Sequence, residues 1–168
     1  MKLSSPTSLL LNLGHAMDHW VIAIFLYTVS VIAGVWGADW KELTPYAFGA
    51  SFMFGAGSIV SGKLGDQWGR RVMMIVFFAG MGVSCLLIAL CQNKWQIGAA
   101  LTVMGAFASI YHPVGMAWLV REATNRGRAL GINGIFGAGG IAAGPLIAGF
   151  LIDRVSWQAA FIVPGAVA

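Results

Sequence analysis

Apolar residues run along this chain in long unbroken stretches, and the charged ones mark where the stretches stop. Leu43 to Gly62, Val72 to Asn93, Trp95 to Val120 and Ala129 to Ile152 contain no Asp, Glu, Lys or Arg. Each reaches the roughly 20 residues that a helix needs to cross the hydrocarbon of a bilayer. A first stretch, 9–36, is as long but carries Asp18 within it, and a last one begins near Trp157 and runs to Ala168. None alternates with a period of two, which excludes a membrane barrel and leaves a helical bundle as the way to satisfy every backbone group in lipid. The pattern therefore predicts one all-α transmembrane bundle over residues 1–168, with helices over about 9–36, 43–62, 72–93, 95–120, 129–152 and 157–168, the sixth incomplete.

Composition agrees with bilayer as the solvent. Of 168 residues 58% are hydrophobic and 10% charged, against roughly 25% charged in ordinary soluble domains, and the mean hydropathy is +0.80. The basic residues set the orientation. With the N-terminus inside, Lys2, Lys63, Arg70, Arg71, Arg121, Arg126 and Arg128 face the cytoplasm and Lys41, Lys94 and Arg154 face out, as the positive-inside rule requires. The chain is expected in the plasma (cell inner) membrane with its N-terminus cytoplasmic. The same charge pattern also removes nucleic acid as a partner, because the positive charges lie in short loops between spans and not along one exposed stripe. A cleaved signal peptide is disfavoured, since Asp18 and His19 directly follow the apolar start and the apolar pattern continues beyond them.

Cys85 and Cys91, six apart in the third stretch, fall on different helix faces and lack metal-ligand spacing, so neither a disulfide nor a zinc site is expected. No H-E-x-x-H occurs, and Gly57-Ser58 has no nucleophile motif around it, so an intramembrane enzyme is not expected. No cofactor is implied.

The second stretch contains Phe54-Gly-Ala-Gly-Ser-Ile-Val-Ser-Gly62 and the fifth Phe136-Gly-Ala-Gly-Gly-Ile-Ala-Ala-Gly144, alike at six of nine positions and 82 residues apart. These two helices cross in opposite senses, which is the mark of two inverted three-helix repeats. A weaker echo, Gly62 to Asp66 against Gly149 to Asp153, lies 87 apart. The alternative is common composition alone, since small residues allow close packing wherever lipid-embedded helices touch.

The segment Gly62-Lys-Leu-Gly-Asp66-Gln-Trp-Gly69-Arg70-Arg71 closes the second stretch. It closely resembles motif A of the major facilitator superfamily at every glycine and charged position, with Gln67 where Arg is usual. Gly131, Gly140, Gly144-Pro145 and Ala148-Gly149 in the fifth stretch resemble motif C of the family's antiporters, with Ala148 in place of one glycine. Ser156-Trp-Gln-Ala-Ala-Phe161 resembles the family's entry to its sixth helix. The resemblance covers nearly the whole chain as the N-terminal half of a twelve-helix carrier. It implies a C-terminal six-helix half as partner and secondary active transport of a small molecule by alternating access, proton-coupled efflux before other modes. An uptake symporter of the same fold and a non-transporting sensor or scaffold are the other readings. Leu101 stands where the family's motif B has Arg, four residues before Gly105, so a proton-coupling group is sought elsewhere. At the cytoplasmic ends, Arg70 is expected to pair with Glu122 and lock the inside-closed state.

An ionisable residue within a span is costly and marks function by default. His15, Asp18 and His19 stand at i, i+3 and i+4 on one face of the first helix, and His112 lies in the fourth, inside Tyr111-His112-Pro113. Counted by helical rise, Asp18 and His112 lie at the same depth, roughly 12 to 14 Å from the inner end. The first and fourth helices line the central cavity of the superfamily, so the resemblance implies that the two groups face each other there. They are the candidate proton and substrate pathway, with His15, His19 and Tyr111. The bland alternative tethers Asp18 and His15 at the helix end and leaves His112 marking a Pro113 kink. The same four residues are workable metal-ligand types, but nothing in the sequence supplies the outer-shell partners a metal site needs, and no metal is assigned. His15-Ala-Met-Asp18 and Tyr111-His-Pro113 also resemble the fosmidomycin-resistance branch of drug efflux carriers.

Overall fold

A computed structural model describes residues 5–168; Lys2, counted above for orientation, lies outside them. The first span is α1 (Pro6–Val35). Its start combines two signals: the Ser5 hydroxyl accepts from the Ser8 N–H, and Pro6 occupies a position whose N–H has no helical partner anyway. After a turn, Asp39 caps the short α2 (Trp40–Leu43), which runs through a 3-10 turn, Thr44–Ala47, into α3 (Phe48–Trp68). Next come α4 (Arg70–Ala89), then α5 (Lys94–Ala108), whose N–H groups at Trp95 and Gln96 are held by the Asn93 side chain. The fourth span continues through a π-helical segment, Tyr111–Met116, into α6 (Ala117–Glu122). Asn125 caps α7 (Arg126–Arg154), which passes through Pro145 without a break, and α8 (Ala159–Val167) ends the chain. Five of these runs are long and apolar enough to cross a membrane.

The second span extends six residues past Gly62, so Lys63 and Asp66 stand on the last helical turns and not in a loop. Only Gly69 turns the chain. Its φ of 84° and ψ of 148° lie in a region that side-chain-bearing residues avoid, and one residue there joins α3 to α4. Gly62 and Gly65 serve packing instead. A Cβ on Gly65 would stand 2.8 Å from the Val114 side chain, and one on Gly62 would touch Pro113.

Helix pairs form through glycines because helices in lipid gain little from apolar burial and much from close backbone approach. α1 packs along α7, α3 along α5, and α4 along both α5 and α8. At the α1–α7 crossing a Cβ on Gly140 would lie 2.0 Å from the Ala16 carbonyl oxygen, and at the α3–α5 crossing one on Gly105 would lie 2.2 Å from that of Ala50. Along both crossings the contacts advance together, from Gly137–His15 to Gly144–Trp20 and from Gly49–Thr102 to Gly65–Val114. Each pair therefore runs in one sense, as spans one and five, or two and four, of an alternating chain must.

An exchange of spans one with four and two with five carries the first crossing onto the second, which is the relation expected of two inverted three-helix units. Equating the crossings pairs Ala16 with Gly105 and Ala50 with Gly140, 89 and 90 residues apart. The nine-residue echo, at 82, equates different turns. Gly57 packs on Ser109 while its mate Gly139 faces open space, and Gly137 packs on His15 while Gly55 faces open space.

The two ends of the bundle differ in their side chains. Trp36 meets Trp157 edge to face at 6.1 Å and Tyr46 meets Trp95 at 5.4 Å, an aromatic belt of the kind found at a membrane interface. Arg70, Arg71, Arg121, Arg126 and Arg128 gather at the opposite end.

Candidate transport site

Where α1, the π-helical segment and α7 converge, the apolar core gives way to buried polar groups. Pro113 creates the opening. It has no N–H to donate, so a helical bond is lost and the turns from Tyr111 to Met116 widen to the π register. Tyr111, fully buried, donates from its hydroxyl to the Leu11 carbonyl at 2.6 Å and accepts from the Asn133 amide at 2.8 Å. The same amide donates to Asn12 Oδ1 at 2.9 Å. One side chain of α7 thus ties α1 to the fourth span.

One turn further along α1, His15 lies stacked on Tyr111 with ring centres 5.0 Å apart. Its Nδ1 is 2.8 Å from the Asn133 carbonyl oxygen. A carbonyl only accepts, so Nδ1 carries a proton, and in neutral His15 the Nε2 atom then accepts from the Nε2–H of His19 at 3.1 Å. Gly137 makes room for this ring: a Cβ there would stand 2.6 Å from His15 Cε1. His112 leaves the fourth span toward the same point. Its Nδ1 is 3.1 Å from the Met116 sulfur, and the edge of its ring system meets Phe54, His15 and His19 at centre distances of 5.6, 5.3 and 5.6 Å.

Asp18 completes the cluster. It is fully buried, and neither carboxyl oxygen has a hydrogen-bond partner among the described residues. Its Oδ2 stands 3.6 Å from Nε2 of His112, whose side chain remains 37% exposed. The five residues singled out from sequence, His15, Asp18, His19, Tyr111 and His112, therefore occupy one site. Asn12 and Asn133 belong to it as well and were missed. Their signal was present, as two amides inside otherwise apolar runs, but a search for ionisable groups passes over them.

The remaining motif residues divide. Gly140 and Gly144 of the motif C pattern pack on α1, whereas Gly131 and Gly149 face open space, and Ala148, in a glycine's usual place, is buried. Asp66 and Arg71 are exposed at the α3–α4 turn. The expected Arg70–Glu122 pair is not among the oppositely charged contacts between described residues, which are Lys94–Glu42 at 3.9 Å and, when His112 is protonated, Asp18–His112 at 3.6 Å. Glu122 accepts from the Trp118 indole N–H, one turn back on its own helix, at 2.5 Å.

Apolar spans, glycine crossings and an ionisable cluster buried between the spans are those of an integral membrane protein of the carrier class. The model of the Major Facilitator Superfamily matches residues 9–168, and the chain belongs to that family of transporters. It is 35% identical over 109 residues to the tetracenomycin C resistance and export protein of Streptomyces glaucescens, covering 62% of this chain and 20% of that protein. It is 33% identical over 130 residues to multidrug resistance protein MdtG of Proteus mirabilis (strain HI4320), covering 74% of this chain and 31% of that one. The puromycin resistance protein pur8 of Streptomyces alboniger is 31% identical over 108 residues, 62% of this chain and 22% of pur8. The chain thus spans about a fifth to a third of the length of these relatives.

Proposed function

We propose that this chain is the N-terminal bundle of a proton-coupled exporter of small molecules. In this reading it works by alternating access against a C-terminal six-helix half, in the plasma membrane with its N-terminus cytoplasmic. Relatives named for resistance and export favour efflux over uptake. The observation that carries the coupling is Asp18, buried without a hydrogen-bond partner and 3.6 Å from His112.

A lone carboxylate in an apolar layer is costly. Asp18 and His112 avoid that cost in two ways, as acid beside neutral imidazole or as carboxylate beside imidazolium. Both forms hold one proton between them and are neutral overall. The proton is passed on when substrate or the opposite face of the membrane takes it up, with the half-exposed rings of His112 and His19 as the exit. Leu101, in the place of the family's buried Arg, leaves this pair to perform the coupling.

The test is substrate accumulation in inside-out vesicles, the counterpart of export from the cell, under an imposed pH gradient with the companion half present. The wild type drives export with the gradient, and Asp18→Asn loses the gradient dependence while retaining substrate binding. Unchanged gradient dependence in Asp18→Asn removes the pair from the mechanism.

A further inference from the structure

Three imidazoles of this cluster present ring nitrogens that all lie within 4.8 Å of one another, with the partnerless Asp18 carboxylate beside them. From this geometry we infer that His15, His19, His112 and Asp18 form a binding site for a borderline divalent transition-metal cation of the zinc or cobalt type. The inference does not depend on the efflux reading, because binding is measured without transport.

The donor set fits such an ion. Three imidazoles and one carboxylate suit the borderline metals, whereas magnesium and calcium prefer shells of oxygen. A tetrahedral ion with nitrogen ligands at about 2.0–2.1 Å holds those nitrogens a little over 3 Å apart. His15 Nε2 and His19 Nε2 are already 3.1 Å apart. A ring nitrogen of His112 lies within 4.8 Å of those of His15 and His19, its Nε2 is 3.6 Å from Asp18 Oδ2, and the partial exposure of its side chain supplies the entry path.

The outer shell that the sequence does not reveal is present in the fold. Metal-bound histidines commonly donate their other N–H to a backbone carbonyl, which fixes the ring and its tautomer. His15 Nδ1 does so to the Asn133 carbonyl at 2.8 Å, leaving Nε2 as the ligand atom. His112 Nδ1 rests against the Met116 sulfur at 3.1 Å, and its Nε2 faces Asp18 at 3.6 Å. Tyr111 stacked under His15 and Gly137 against its edge leave that ring one position. Asp18, fully buried and with both oxygens unpartnered, is a ready anionic ligand. A dication held by these four neutral or anionic groups would displace the proton that Asp18 and His112 otherwise share.

The experiment is a Co2+ titration of the detergent-purified protein, carrying no polyhistidine tag, read by visible absorption. The expected result is one saturable ion per chain with the intense bands of four-coordinate cobalt, displaced by Zn2+ and not by Mg2+. His19→Gln and His112→Gln should each weaken binding by at least about 10- to 100-fold, the loss that outer-shell changes alone produce, with helical content by circular dichroism unchanged. If one variant loses helical content, the other carries the comparison. No saturable four-coordinate spectrum, or equal affinity in a folded His19→Gln variant, overturns the site. Gradient-driven export is a separate readout, so a failed titration leaves the proton-coupling proposal standing, and a failed export assay leaves the metal site standing.

Discussion

At the α1–α7 crossing Gly140 lies against the Ala16 carbonyl, and at the α3–α5 crossing Gly105 lies against that of Ala50, so two halves of the bundle meet by the same backbone contact. Their surroundings differ. Beside the first stand Asn12, His15, Asp18 and Asn133, all buried, and Tyr111 joins them from the fourth span. Beside the second, the polar contacts are those of small hydroxyls: Ser61 with Ser109 at 3.0 Å, and Thr102 with the carbonyl of Gly98. The inverted-repeat relation therefore duplicates packing but not chemistry. A helix pair can be held together twice by glycine while the polar groups around it differ: His15, Asp18 and His19 stand on α1, and His112, on the fourth span, meets Phe54 of α3 on one side and Asp18 on the other.

The largest expected effects test the shared half of that comparison. Gly140→Val and Gly105→Val each push a side chain into a backbone carbonyl that has no rotamer by which to yield. Overpacking costs typically about 1–3 kcal/mol and more where nothing moves, so both variants should lose most of their thermal stability in detergent, to a similar degree. Gly139→Ala, at a position facing open space, should stay within about 0.5 kcal/mol of wild type. If only one of the two valine variants is unstable, the crossings are not equivalent.

A smaller pair of effects tests the chemical difference. Asn133→Leu leaves the buried Asn12 Oδ1 without its donor and should cost about 1–3 kcal/mol. Ser109→Ala removes the hydroxyl that meets Ser61 and donates to the Ala106 carbonyl of its own helix, both neutral hydrogen bonds, and should cost about 0.5–1.5 kcal/mol. Denaturation of both variants in the same detergent gives the order. Equal losses would mean that the amide network around Tyr111 is worth no more than a hydroxyl pair.

The spans were legible in the sequence because charge interrupts an apolar run, and the spacing of Asp and His at i, i+3 and i+4 already put three groups on one helix face. Other features were hidden for physical reasons. Asn12 and Asn133 carry no charge and leave the hydropathy of their runs almost unchanged, so the amide network only appears once α1 and α7 are brought together. The widening at Tyr111–Met116 depends on how the chain rearranges after Pro113 removes one donor. The glycines at 62 and 65 stand inside a helix, and their role is set by Pro113 and Val114 on a helix far away in sequence. Arg70 and Glu122 are close to the same end of the bundle, yet an exposed glutamate also finds a partner on its own helix, as the Trp118 contact shows.

The central claim, that Asp18 changes its protonation as the carrier works, is tested most directly by infrared difference spectroscopy on the reconstituted protein as substrate is added. The account predicts a carboxyl band that shifts on substrate addition, disappears in Asp18→Asn and persists in Ser61→Ala. A spectrum without a carboxyl change, or one in which the change survives Asp18→Asn, would contradict it.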